Sequence, residues 1–234
     1  MSGPLTAAVR TALAAGFTTV TGARPVLTSG GSVRDLPDQA VYYANHSSHL
    51  DFATLWAVLP GRLRDRVRPV AARDYWSSGI RRLLAEGLFN AHLVDRTGSG
   101  GGRAHAGGAP SDQLAGMTAV LDAGDSLIIF PEGTRGTGET LAPFQSGLYH
   151  LARHDPAIPV IPVTLGNLGR ILPKGELVPV PHLSSVTFHE PIAVAPGESK
   201  AEFLERARQV LLAGTTTGAP VADAADADDE GDAT

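Results

Sequence analysis

The sequence predicts an α/β fold: one domain built on a mixed, largely parallel sheet flanked by helices, with an amphipathic helix at the N-terminus. Two observations carry this expectation. Short β-branched and aromatic runs alternate with stretches of helical period along the chain. At 234 residues and 43% hydrophobic, the chain is long enough to bury one substantial core, and it shows no internal repeat.

In order, Leu5, Val9, Leu13, Phe17 and Val20 recur at helical spacing, which predicts a helix over about 4–21 with one apolar stripe. That stripe suits core packing. It equally suits a membrane surface, because Arg10 is its only charge and the polar face is mostly Thr. "AVYYAN" reads as a strand and "SSHLDFATLWAVL" as the helix after it, with Leu50, Leu55 and Val58 or Leu59 on its buried side. "VRPVAA" is strand-like and "SSGIRRLLAEGLF" helix-like, while residues 98–110 are too glycine-rich for a regular element. "SDQLAGMTAVLDAG" predicts a helix capped by Ser111 and closed by Gly124. "SLIIF", "IPVIPVTL" and "SVTFHEPIAV" are three further strands. The last helix opens on a Ser199–Glu202 capping box and runs through Leu204, Ala207 and Leu211. The domain is therefore expected over 1–213, followed by a disordered acidic tail over 214–234.

Composition excludes several chemistries. With no cysteine there is no disulfide framework, zinc-thiolate site or cysteine nucleophile. Every run free of Asp, Glu, Lys and Arg is shorter than the roughly 20 residues of a spanning helix, and the N-terminus lacks the basic start of a signal peptide. A soluble or peripheral cytoplasmic protein is expected. The net charge of −5 comes from the tail, whose six acidic residues have no basic counterpart; the rest is nearly neutral, and no nucleic-acid partner is expected. Residues 62–82 carry seven arginines against two aspartates, with Tyr75 and Trp76 among them. Such a face suits anionic lipid headgroups or an acidic carrier protein, and equally an ordinary solvated surface.

Two stretches carry chemistry. "NHSSHLD" (45–51) holds His46, His49 and Asp51. The histidines are three apart, not the four of a helical metal pair, and there is no G-x-S-x-G elbow or Walker-type loop, so no metal or nucleotide cofactor is expected. If His46 precedes the helix and Asp51 lies in its first turns, the imidazole can fold back on the carboxylate and keep its other nitrogen as a general base. The alternative is that Asn45 or Ser47 caps the helix and the other side chains are merely solvated. "IIFPEGTRG" (128–136) ends a buried strand in a carboxylate, exposed backbone and a guanidinium suited to phosphate or carboxylate. A turn with a surface ion pair is the alternative there.

Together, N-H-x-S-x-x-D and, some eighty residues later, F-P-E-G-T-R resemble the glycerolipid acyltransferase family that includes 1-acylglycerol-3-phosphate acyltransferases. "HLVDR" (92–96), "VIPVTLGN" (160–167), "LPKGE" (172–176) and "VTFHEPI" (186–192) extend the resemblance over roughly residues 40–195. It implies acyl transfer from a thioester, on coenzyme A or acyl carrier protein, to the hydroxyl of a lysophosphatidic-acid-type acceptor at a membrane surface, the inner face of the cell membrane. His46 would be the base and Asp51 its partner. Glu132, Gly133, Thr134 and Arg135 would hold the acceptor, with Arg96 at its phosphate. Oxyanion donors are expected from backbone N–H groups at the start of the Ser47–Leu59 helix. The family's Phe-Lys-x-Gly after the third motif appears here as "FQSG", so Gln145 stands where a lysine is usual. That departure favours, as a second possibility, another lysophospholipid or lipid-linked hydroxyl as acceptor. A non-catalytic lipid-binding module and a metal hydrolase are the remaining alternatives.

Overall fold

The structure, a computed structural model, describes residues 4–48, 50–72, 92–94, 110–136, 140–168 and 183–217. Its elements are α1 (Pro4–Thr21), β1 (Arg24–Leu27), a 3-10 turn (Val33–Asp35), β2 (Val41–Ala44), α2 (Asp51–Val58), α3 (Gly61–Arg64), β3 (Val67–Ala72) and β4 (His92–Val94). They continue with α4 (Pro110–Asp122), β5 (Ser126–Ile129), α5 (Gly147–Ala152), β6 (Val160–Gly166), β7 (Ser185–Phe188) and α6 (Lys200–Thr217). The strands form one sheet in the order β1-β7-β6-β2-β5-β3-β4. Every neighbouring pair is parallel except β6 and β7. This is the mixed, largely parallel sheet the sequence predicts.

Strand alternation divides the core into two layers. Tyr42, Ala44, Ile128, Ile161, Val163 and Leu165 face α1 and α2. Val41, Tyr43, Leu127, Ile129 and Val160 face α4, α5 and α6, where Leu121, Leu148, Leu151, Phe203, Ala207 and Leu211 meet them. The central strands are apolar on both faces because both faces are covered. Helix α2 is buried nearly all round, with Leu55 and Trp56 fully enclosed, since it lies between the sheet and α1.

Helix α1 is rotated from its expected face. Val9 and Val20 remain 45% exposed, while Arg10, Ala14 and Thr21 turn inward and Leu13 and Phe17 pack at the margin. The buried Arg10 reaches Asp65 at 2.8 Å, just past α3. An inward ion pair is invisible to a hydrophobicity stripe, and Ala14 lets α1 approach closely.

The basic stretch is also turned to internal use wherever it is described. Arg62 bonds Asp38 and the Arg34 and Leu36 carbonyls; Arg64 lies over the Trp56 ring at 5.6 Å. Arg66 donates to the Gly124 carbonyl, and Arg68 grips Asp125 at 2.7 and 2.9 Å. The Arg66 and Arg68 contacts sit at the N-terminal ends of β3 and β5. Tyr75, Trp76 and the remaining arginines of that stretch lie outside the described residues, as does the expected helix over 77–89.

Helix α4 begins at Pro110, not at a Ser111 cap; proline's fixed φ suits the first helical position. Gly124 ends it with φ of 79°. The Ser199–Glu202 capping box forms, at 2.8 and 3.3 Å. The domain boundary expected at 213 moves outward, because α6 continues through Thr217. Residues 218–234 lie outside the described residues, as do 98–109.

Candidate active site

The C-terminal ends of β2 and β5 stand side by side, with Tyr43 in register with Ile129. The segments that leave them, Asn45–His46 after β2 and Phe130–Glu132 after β5, therefore emerge at the same end of the sheet, where ligand sites of such sheets lie. On the other side of β2, β6 aligns Val163 with Ala44.

The loop leaving β2 is held from both sides. Asn45, buried, donates its side-chain N–H to the Leu165 carbonyl at 2.9 Å and accepts the Leu165 N–H at 2.7 Å, prolonging the pairing with β6 through a side chain. From β5, the buried Glu132 accepts the His46 N–H at 2.8 Å on one oxygen and the Ala142 N–H at 3.1 Å on the other. The His46 carbonyl accepts from Gly136 at 2.9 Å. A residue fixed at both its N–H and its carbonyl has little freedom to wander.

Within that frame the His46 Nδ1 lies 2.9 Å from Asp51 Oδ2. The same oxygen accepts the Ser47 and Ser48 N–H groups at 2.6 and 2.8 Å. Asp51 is fully buried and His46 is 23% exposed, so the carboxylate is enclosed while the imidazole keeps an open edge. The Phe130 ring stacks on the imidazole, centroids 4.3 Å apart and planes 23° from parallel. A carboxylate that accepts from Nδ1 fixes the tautomer and leaves Nε2 able to take a proton.

Two expectations change here. The helix begins at Asp51, not Ser47, and Leu50 precedes it without a side-chain cap. Neither Asn45 nor Ser47 caps it; the first bonds β6 and the second offers its N–H to Asp51. The Ser47 and Ser48 N–H groups, at the start of the expected Ser47–Leu59 helix, both donate to Asp51 Oδ2. Glu132, which the resemblance places at the acceptor, is 3% exposed and holds the two backbone segments together.

Gly133, Thr134 and Arg135 form an exposed turn beside this pair. Gly133 has φ of 71°, and its N–H donates to the Phe130 carbonyl at 3.0 Å. A Cβ there would be strained, and would stand 3.4 Å from Gln145 Cγ. The Gln145 N–H in turn donates to the Pro131 carbonyl at 2.7 Å, so position 145 is anchored at the turn. Arg96 and His49 lie outside the described residues. Among the described residues no three His, Asp or Glu side chains converge as a metal site would require.

The His–Asp pair and the Pro-Glu-Gly-Thr-Arg turn thus stand at one end of a mixed, largely parallel sheet. The sequence model of the acyltransferase family matches residues 20–166, and the chain belongs to that family. It is 31% identical over 143 residues to 1-acyl-sn-glycerol-3-phosphate acyltransferase alpha of Mus musculus, covering 58% of this chain and 43% of that protein. It is 28% identical over 159 residues to the 1-acyl-sn-glycerol-3-phosphate acyltransferase of Cocos nucifera, covering 66% of this chain and 46% of that protein. The aligned region is thus less than half the length of these curated relatives. The crystal structure of the 1-acyl-sn-glycerophosphate (LPA) acyltransferase PlsC from Thermotoga maritima aligns with a TM-score of 0.65 at 20% identity, over 91% of this chain and 79% of that one. That likeness is one of fold.

Proposed function

We propose that the protein transfers a fatty acyl group from a thioester, on coenzyme A or acyl carrier protein, to the free hydroxyl of a lysophosphatidic-acid-type acceptor. The observation that carries this reading is the His46 Nδ1–Asp51 Oδ2 contact of 2.9 Å in a chain of the acyltransferase family. Nε2 of His46 accepts the acceptor's hydroxyl proton as the oxygen attacks the thioester carbonyl. The tetrahedral oxyanion collapses, the C–S bond breaks, and the departing thiolate takes the proton back from Nε2. A thioester is already activated, so a positioned base suffices and no covalent enzyme intermediate is needed. Gly133, Thr134 and Arg135 receive the acceptor, with Arg96 at its phosphate. Glu132 acts on the reaction by holding His46.

The anchored Gln145 supports a second acceptor class. An uncharged amide beside the Gly133 turn offers hydrogen bonds without a cation, which suits a phosphodiester headgroup as well as a phosphate monoester.

The reaction takes place at a membrane surface, on the inner face of the cell membrane. Among the described residues no helix is long and apolar enough to cross a membrane. The exposed side of α1 supports surface docking: Ala7, Ala8, Val9, Thr11, Ala12, Ala15, Gly16, Thr19 and Val20 include no charge. The Thr11, Thr18, Thr19 and Thr21 hydroxyls all donate to α1's own carbonyls, at 2.7–3.0 Å, and need no water partner.

The test is an acyl-transfer assay over a panel of lysophospholipids with both acyl donors, read by mass spectrometry. A new acyl ester on lysophosphatidic acid is the expected product. Transfer to a diester lysolipid alone would favour the second reading, and no transfer to any acceptor would contradict both.

A further inference from the structure

The two oxygens of Asp51 are treated unequally. Oδ2 accepts from His46, Ser47 and Ser48, whereas Oδ1 is equally enclosed and has no hydrogen-bond partner. One turn along α2, Thr54 is fully buried, and its hydroxyl is unpartnered as well. Positions three apart lie on the same helix face. A buried helical threonine ordinarily relieves its hydroxyl by donating to the carbonyl four residues back. Four threonines of α1 do so; Thr54 does not, although its N–H donates to the Leu50 carbonyl at 2.8 Å. A buried carboxylate oxygen without a donor and a buried hydroxyl without an acceptor, one turn apart, meet each other's need.

We infer that Thr54 is a positioning residue for the His–Asp pair, its hydroxyl serving Asp51 Oδ1 by rotation about the side-chain bond or through one shared water. Asp51 is then fixed at both oxygens, so its carboxylate plane, and through it the imidazole, has one orientation. Thr54 touches no reacting atom and acts only through Asp51. The inference rests on the reading of His46 as base, and its test separates the two.

Thr54→Val keeps the shape and removes the hydroxyl; Thr54→Ser keeps the hydroxyl and removes a methyl. Both are compared with wild type and His46→Ala for kcat, for KM of each substrate, and for the NMR signal of the His46 Nδ1 proton, assigned by its loss in His46→Ala. Thr54→Val is expected to lower kcat about tenfold, the scale of one hydrogen bond to a charged group, with KM nearly unchanged. The Nδ1 proton signal should move, and Thr54→Ser should recover most of kcat and the wild-type signal. Wild-type kcat with an unmoved signal in Thr54→Val would overturn the inference, as would a Thr54→Ser protein as impaired as Thr54→Val. Full activity in His46→Ala would instead sink the reading of the base. Should the valine protein not fold, the serine comparison and the signal in Thr54→Ala decide.

Discussion

At the scale of single residues, the site is a set of backbone atoms held by buried polar side chains, with one imidazole edge left open. Asp51→Asn keeps the volume but offers the imidazole an amide, which leaves its orientation poorly specified; acyl transfer should fall about 100-fold or more while circular dichroism is unchanged. Glu132 makes a sharper test, because its motif places it at the acceptor and the geometry places it under His46. Glu132→Gln has one oxygen for two N–H groups, so it should lose about 1–3 kcal/mol of stability and lower kcat more than it raises KM. A raised KM at unchanged melting temperature would return Glu132 to the acceptor. His46, Asp51 and the Gly133–Arg135 turn are legible in the sequence because they are side chains named by motif. The grip of Asn45 on Leu165, and of Glu132 on the 45–46 loop, is not legible, because each bonds backbone far away in sequence. The motif names Asn45 as the residue before His46 but not its partner on β6.

At the scale of elements, apolar runs reveal β2, β5 and β6 in the sequence, because central strands must be hydrophobic on both faces, while β3 and β7 show as short β-branched runs. Edge strand β1, whose residues are largely exposed, and the short helices α3 and α5 carry too little period to be seen. The buried face of α1 is concealed by Arg10, whose burial no polarity scale anticipates. The end of α6 is concealed by Gly214, which looks like the start of a tail. In the fold a Cβ at 214 would strike the Thr164 hydroxyl and come 2.8 Å from the His189 ring, so α6 docks there because the residue is glycine. Gly214→Ala should therefore destabilise by about 1–3 kcal/mol, measured by urea unfolding, whereas the same change at the exposed Gly16 should not. His189 bonds Thr164 at 2.8 Å, and burial lowers its pKa below the ordinary value. The unfolded chain then binds more protons near that value, so this contribution is complete above about pH 6.5 and is lost as the pH falls toward the lowered pKa. Melting temperature should decline less between pH 6.5 and 5 in His189→Gln than in wild type.

At the scale of the whole molecule, the sheet separates two chemistries. The Arg66–Arg68–Asp125 cluster holds the N-terminal strand ends together, and the His46–Asp51 pair opens at the C-terminal ends. Over its described residues the basic stretch is engaged with Asp38, Asp125 and backbone carbonyls. The uncharged outer face of α1 is the surface we propose for docking on lipid, and α1 packs on α2, which carries Asp51. Ala12→Glu, at an exposed position, should reduce flotation with phospholipid vesicles without changing the melting temperature; unchanged flotation would remove α1 from membrane docking. For the acceptor, Gln145→Lys should raise use of lysophosphatidic acid relative to diester lysolipids, as a cation beside the Gly133 turn would favour the doubly charged phosphate. The central claim is that His46 is the base for acyl transfer. It is tested most directly by incubating wild type and His46→Ala with acyl-coenzyme A or acyl carrier protein and lysophosphatidic acid, and tracking the esterified product by mass spectrometry. Product formation by wild type, with loss of at least about 100-fold in a folded His46→Ala protein, is the predicted result; comparable product from both proteins would contradict it.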